Sequence, residues 1–359
     1  MNDTQLLNPD ILALTPYVAG EQPKIANLVK LNTNENPYPP SPKVLEAIKH
    51  DLGDTGDGLR RYPDPDATLL KQVIAKQQGV DSTQVFVGNG SDEVLAHIFK
   101  AFFNKQKPVL TPDISYSFYP VYAGLFGLTL KMLPLDDEFA MNVAAYCCGE
   151  DSSGIIFANP NAPTGRAIGL EEVRKIVSSN PACVVVVDEA YVDFGAQSAV
   201  ALVSEFANLV VCQTTSKSRA LAGMRVGFAI AQAHLIAALE TVKNSFNSYP
   251  LDRLAQVAAI ASFEDEAYFE KMRQKVIKSR EALRDELVRL GFEVAPSLAN
   301  FVFARHATKQ ASDIAQALRE KGVIVRYFNQ PKINNHLRIS VGNDAENAAL
   351  IKALEGIVL

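Results

Sequence analysis

Lys217 stands in the run Thr214-Thr215-Ser216-Lys217-Ser218-Arg219-Ala220-Leu221-Ala222-Gly223-Met224-Arg225, eight residues before Arg225 and 29 after Asp188 of Val187-Asp188-Glu189-Ala190-Tyr191. A lysine amine held out of bulk water titrates readily, which suits it to Schiff-base formation with an aldehyde and then to carrying a proton. On an exposed helix the same lysine is only a solvated charge. Asp188 closes the apolar run Val184 to Val187, where an unpaired carboxylate carries a large desolvation cost and needs a partner. A helix cap or a salt bridge would satisfy it. So would a protonated pyridine nitrogen, which the carboxylate keeps cationic so that the ring can draw electrons from a substrate carbanion. Lys217, Asp188 and Arg225 at these spacings together point to a pyridoxal phosphate enzyme.

A phosphate needs fixed donors. Val85-Phe86-Val87-Gly88-Asn89-Gly90-Ser91-Asp92-Glu93 reads as a strand, a tight glycine turn and a helix start, whose backbone amides and dipole favour an anion. A Ser/Asp helix cap closed by Glu93 explains Ser91 and Asp92 equally well. The segment opens like G-x-G-x-x-G but has Glu93 where the third glycine belongs, so the dinucleotide fingerprint fails and a dehydrogenase is disfavoured. Ser216 and Arg225 would complete a phosphate cup through a hydroxyl and a bidentate charged contact. Tyr191 could bond a ring's phenolic oxygen or be an ordinary half-buried tyrosine, and Tyr116 could stack on a ring or belong to the core. An amino-acid-like substrate requires a cation for its acidic group. Arg326 and Arg338 are candidates, and Arg338 is the better one because it alternates with Leu337 and Ile339 and so faces away from them.

These residues need a scaffold that brings them together. Short apolar runs recur from about residue 84 to 230: Val85 to Val87, Pro108 to Leu110, Thr129 to Leu133, Ile155 to Ala158, Val184 to Val187, Leu209 to Cys212 and Val226 to Ile230. Runs without alternation are what strands covered on both faces look like, so an α/β domain with a mainly parallel sheet is expected. In such sheets ligands lie beyond the carboxyl ends of the strands, where Asn159, Asp188 and Ser216-Lys217 fall. After Pro250 the texture changes to long charged helices, clearest from Glu264 to Leu290, and to short strands at Phe292 to Val294, Phe301 to Ala304, Val323 to Val325 and Leu337 to Val341. The expected division is an N-terminal arm over 1–40, a large domain over 41–248 and a smaller α+β domain over 249–359.

The 359 residues suffice for two domains, and the net charge of −5 gives no general attraction to nucleic acid. Cys147, Cys148, Cys183 and Cys212 show no C-x-x-C spacing, so neither a metal site nor a disulfide is expected and a reducing cytoplasm is the economical setting. Met1 to Gly20 does not read as a signal peptide, and no apolar stretch reaches the roughly 18 residues that cross a membrane.

Along nearly the whole chain the motifs resemble the fold-type I, aspartate-aminotransferase-like superfamily and, within it, the histidinol-phosphate aminotransferases. They are Leu14-Thr15-Pro16-Tyr17, Leu31-Asn32-Thr33-Asn34-Glu35-Asn36-Pro37, Arg61-Tyr62-Pro63, Gly90-Ser91-Asp92-Glu93, Asn159-Pro160-Asn161-Ala162-Pro163-Thr164-Gly165, Asp188-Glu189-Ala190-Tyr191, Ser216-Lys217 with Arg225, and Leu337-Arg338-Ile339-Ser340-Val341-Gly342. The resemblance implies that Lys217 holds pyridoxal phosphate covalently, Asp188 faces its ring nitrogen, Tyr191 its phenolic oxygen, and Tyr116 stacks on the ring. Gly90, Ser91, Asp92, Ser216 and Arg225 would form the phosphate site, with Tyr62 reaching in from the second subunit of a homodimer. Tyr17, Arg326 and Arg338 would hold the phosphate of histidinol phosphate or the carboxylate of glutamate, with 2-oxoglutarate and imidazole-acetol phosphate as the keto partners. Many relatives place asparagine directly before Pro-Thr-Gly to bond the phenolic oxygen. This chain has Ala162 there, and Asn161 is the candidate to take over that bond. Aromatic amino-acid aminotransferases and amino-acid-phosphate decarboxylases share most of these motifs. A regulator carrying such a domain would need an added DNA-binding module, for which the arm is too short.

Overall fold

The computed structural model describes residues 6–24, 27–147 and 151–359. Seven strands, β2 (Val85–Asn89), β3 (Val109–Pro112), β4 (Leu130–Leu133), β5 (Gly154–Ala158), β6 (Val184–Asp188), β7 (Leu209–Thr214) and β8 (Val226–Ala231), form one sheet in the order β2-β8-β7-β6-β5-β3-β4. All seven apolar runs are strands of this sheet. Neighbours are parallel from β7 through β6, β5 and β3 to β4, whereas β8 runs antiparallel to both β2 and β7.

The absence of alternation has the expected cause. Val185 and Val187 of β6 enter one buried cluster with Ile155 and Phe157, while Val186 enters another with Ile156, Phe86 and Val210. Side chains alternate across a strand, so both faces must be apolar when helices cover both.

A second sheet of five strands has the order β1-β11-β12-β10-β9, built from β1 (Val29–Leu31), β9 (Phe292–Ala295), β10 (Phe301–His306), β11 (Val323–Tyr327) and β12 (Leu337–Ser340). The segment expected as an extended arm therefore supplies β1, which pairs in parallel with β11 and puts Leu31 in the small core. Its three residues carry too little periodicity to read as a strand. The helix Arg253–Glu264 follows the change of texture in sequence, yet its buried Ala255, Ala259 and Phe263 pack into the core of the large sheet. The long helix Glu266–Arg289 then joins the small core through Leu283 and Leu287.

Cys147, Cys183 and Cys212 are free thiols; Cys148 lies outside the described residues. Among the described residues no helix is long and apolar enough to cross a membrane. Phe157 is 0 % exposed at the centre of the large sheet. Phe157→Ala should therefore lower unfolding free energy by about 3–5 kcal/mol, read from denaturant midpoints.

Candidate active site

β5, β6 and β7 end side by side, so their last residues are delivered to one place: Ala158 pairs in register with Asp188, and Asp188 with Cys212. Beyond these ends lies a cavity of about 510 Å³ lined by Asp188, Ala190, Tyr191, Ser216, Lys217 and Arg225, together with Ser91, Asp92 and Tyr116 from the β2 and β3 side. Residues from Gln22 to Arg225, far apart in sequence, thus share one wall system, as the strand-end rule anticipates.

Asp188 is 4 % exposed. Its Oδ2 accepts from the Tyr119 hydroxyl at 2.9 Å and its Oδ1 from the Ala190 N–H at 3.3 Å. Burial pushes its carboxyl up from the ordinary 3.8 to about 6; the two hydrogen bonds and the charge of Lys217 act downward but do not cancel it. The neighbouring Glu189 faces away from the cavity, accepting from Ser198, the Ala199 N–H and Gln213.

Lys217 is half-buried, with its Nζ 3.4 Å from the Thr33 carbonyl and 5.8 Å from the centre of the Tyr191 ring. At the opposite end the helix Gly90–Phe102 points its N-terminus at Arg225, and no side chain caps it. Glu93 accepts from the Asn89 N–H at 2.6 Å, and of the two readings of Ser91 and Asp92 the helix cap by their side chains does not form. Gly90 has φ +79, and a Cβ there would come within 2.4 Å of an Arg225 nitrogen. On β8, a Cβ at Gly227 would lie 2.2 Å from the Ser91 nitrogen. Both glycines are required for backbone to come this close, and together they leave an anion cradle of open N–H groups beside a guanidinium.

Asp92 takes a different part from the one its position suggests. Its carboxylate accepts from the Tyr116 hydroxyl at 2.8 Å and from Arg225 at 3.1 Å, so it orients those two groups; only its backbone N–H can serve an anion. Asn161 is not brought to the cavity by its side chain. Its amide donates to the Ile114 carbonyl and to Thr164 and accepts from Ser115, while Ala162 takes the place on the cavity wall.

Arg326 and Arg338 face each other across the β11–β12 pair. Arg338 donates to the Asn32 carbonyl at 3.0 Å, its Nε has no partner, and burial foremost, with Arg326 adding to it, holds its pKa below the ordinary value. Neither forms an ion pair among the described residues, which leaves two adjacent cations without an anion. Tyr17 packs on Phe118 with ring centres 4.7 Å apart and adds its field to Arg338. Tyr62 is 82 % exposed and stacks on Tyr249, outside the cavity of its own chain.

Sequence reasoning did not single out Tyr119, Thr33, Glu35 or Gln22. Tyr119 reaches Asp188 from a helix 69 residues earlier, and the other three line the cavity from the N-terminal segment. Glu35 carries its charge there: burial opposes it, but Lys30 and Thr33 bond the carboxylate and hold its pKa below the usual value. The quoted Asn-Thr-Asn-Glu-Asn run was the available signal.

The donor set fits a flat, phosphorylated pyridine. Small side chains at Ala158, Ala162, Ala190 and Gly223 leave room for a ring, Asp188 offers an acceptor on one side, and the glycine-built cradle offers donors for a phosphate on another.

A family model described as aminotransferase class I and II matches residues 26–354. The histidinol-phosphate aminotransferase of Acinetobacter baumannii strain SDF is 63% identical over 352 residues, covering 98% of this chain and 97% of that one. Histidinol-phosphate aminotransferase 2 of Dechloromonas aromatica strain RCB is 59% identical over 344 residues, covering 96% of each. Among solved structures, histidinol-phosphate aminotransferase from Sinorhizobium meliloti in complex with pyridoxal-5'-phosphate superimposes with a TM-score of 0.86 at 25% identity, over 98% of this chain and 97% of that one.

Asp188 has a direct stability signature. Between its ordinary 3.8 and its native value of about 6, the folded protein keeps a proton that the unfolded chain releases, so stability falls as pH rises through that window. Asp188→Asn removes the loss. Without added ligand, the variant should exceed wild type by about 3 kcal/mol above the window, a gap that closes below it, in denaturant titrations across pH.

Proposed function

This chain belongs to the aminotransferase class I and II family, and from that premise we propose that it exchanges an amino group between glutamate and imidazole-acetol phosphate, giving 2-oxoglutarate and histidinol phosphate, with pyridoxal phosphate as cofactor. The observation that carries this is the convergence of Asp188, Lys217, Ser216, Arg225 and an uncapped helix N-terminus on one cavity, beside a pair of unpaired arginines. The named relative at 63% identity over nearly the full chain supports the choice of substrate.

When bound, pyridoxal phosphate supplies an aldehyde that condenses with amines and a ring that accepts the electron pair left on a substrate carbon. Asp188 would hold the ring nitrogen protonated, because a cation beside a buried carboxylate relieves the desolvation that otherwise protonates the acid. Lys217 would anchor the aldehyde carbon and, once released, carry the proton between the substrate's amine-bearing carbon and that aldehyde carbon. The N–H groups of Gly90, Ser91 and Asp92, the Ser216 hydroxyl and Arg225 would hold the phosphate. Tyr116, steadied by Asp92, would lie against the ring, and Tyr191 would donate to its phenolic oxygen.

Arg338, Arg326 and Tyr17 would take the substrate's acidic end. Two facing guanidinium groups repel each other until an anion sits between them, and a phosphate dianion satisfies both better than a single carboxylate. In the other half-reaction the same donors would hold glutamate. Tyr62, exposed and stacked away from its own cavity, would meet the phosphate of a second copy in a homodimer. We place the protein in the cytoplasm, where its thiols stay reduced.

Borohydride should fix the cofactor onto Lys217, and Lys217→Ala should abolish the adduct. A reducible adduct at the same site in that variant removes the catalytic assignment. Arg338→Leu should raise KM for both histidinol phosphate and glutamate by roughly 100-fold, the loss of one charged bidentate contact. Assays with imidazole-acetol phosphate beside phenylpyruvate, and a test for decarboxylation of amino-acid phosphate esters, check the substrate; activity confined to either alternative overturns it.

A further inference from the structure

Asn34 sits in the chain that crosses from β1 to the cavity, 1 % exposed and at φ +56, a left-handed conformation that asparagine tolerates better than most residues. Its backbone N–H donates to the Ser340 Oγ at 2.8 Å. A backbone N–H can only donate, so the serine oxygen accepts there and its own proton is left for the Asn34 Oδ1, 3.1 Å away. With that proton on Oδ1, the other end of the amide is the donor. Its Nδ2 must then face the Tyr191 oxygen, to which it donates at 3.0 Å. The tyrosine oxygen, already an acceptor, is free to send its own proton elsewhere, and Tyr191 lines the cavity.

We propose that Asn34 and Ser340 are positioning residues that aim the hydroxyl proton of Tyr191 into the cavity. The inference rests on the cofactor reading above, in which Tyr191 donates to the phenolic oxygen. The relay runs from the Asn34 N–H through the Ser340 hydroxyl and the Asn34 amide to the Tyr191 hydroxyl. The arrangement carries more weight here than an ordinary tyrosine bond, because Ala162 offers no side-chain donor and Asn161 is turned to Ile114, Thr164 and Ser115. The charged groups beside the tyrosine are Lys217, 5.8 Å from its ring, and Arg338 of β12, two residues before Ser340. Neither lies in the relay.

A donor to the phenolic oxygen withdraws electron density from the atom that shares the proton of the lysine-bound chromophore. Losing the donor tightens that proton. The test is an absorbance titration of the chromophore in wild type, Ser340→Ala and Asn34→Gly, each also in a Tyr191→Phe background. Glycine keeps the left-handed backbone, whereas the serine change takes the acceptor from the Asn34 N–H, so the two variants perturb the fold differently and a failure of either to fold leaves the other. Both substitutions should raise the chromophore pKa by about half a unit to one unit, the order of one hydrogen bond, and neither should shift it further once Tyr191 is phenylalanine. Titrations indistinguishable from wild type, or a shift that persists undiminished without the tyrosine hydroxyl, overturn the proposal. Wild-type protein with no chromophore reducible onto Lys217 overturns both this and the cofactor reading, and borohydride alone tells that result from the others.

Discussion

A carboxylate at the end of a fully covered strand is the constraint on which the rest of this molecule depends. Asp188 could be made neutral, moved or paired. The fold moves it nowhere: β5 and β7 flank it in register and apolar side chains cover both faces behind it. Among the described residues it accepts from one hydroxyl and one backbone N–H. Such a group is poised, since burial raises its pKa to about 6 and any cation placed against it would bring it back down. Asp188 lines the cavity that also holds Lys217, so the same burial that weakens the fold prepares a site for a positively charged ring.

The second organising feature is a strap, residues 32–36, that bonds to Arg338, Tyr191 and Lys217 without belonging to the large sheet. The Asn32 carbonyl accepts from Arg338, the Thr33 carbonyl from Lys217, the Asn34 amide donates to Tyr191, and the Asn36 amide donates to the carbonyls of Lys217 and Ser218. The strap continues from β1, which is hydrogen-bonded into the small sheet. Substrate-side arginines and cofactor-side residues are therefore tied through five residues of backbone and side chain, and a shift of the small sheet must be felt at Lys217.

The sequence made the large sheet legible because strands covered on both faces leave unbroken apolar runs, and it made Asp188 and Lys217 legible because each follows such a run at a strand end, with Arg225 directly before the next run. Strand direction was not legible: β8, antiparallel to both its neighbours, is as apolar as the parallel strands of the sheet, and nothing local distinguishes it. The site was less legible where roles depend on which way a side chain turns. Asp92 and Asn161 stand in recognisable motifs, yet one serves by orienting Tyr116 and Arg225 and the other is held by Ile114, Thr164 and Ser115. Tyr119 reaches Asp188 through tertiary packing alone. Tyr62 points away from its own cavity, and a single chain's sequence carries no sign of what another copy would present to it.

The central claim, that Asp188 is a buried acid made ionic by a cation in the cavity, is tested most directly by infrared difference spectroscopy near pH 5, with and without pyridoxal phosphate, in wild type and Asp188→Asn. The account predicts that binding removes a protonated-carboxyl band present in wild type and missing from the variant, with a carboxylate band appearing in its place. A band that stays protonated after binding, or a change identical in the two proteins, would contradict it.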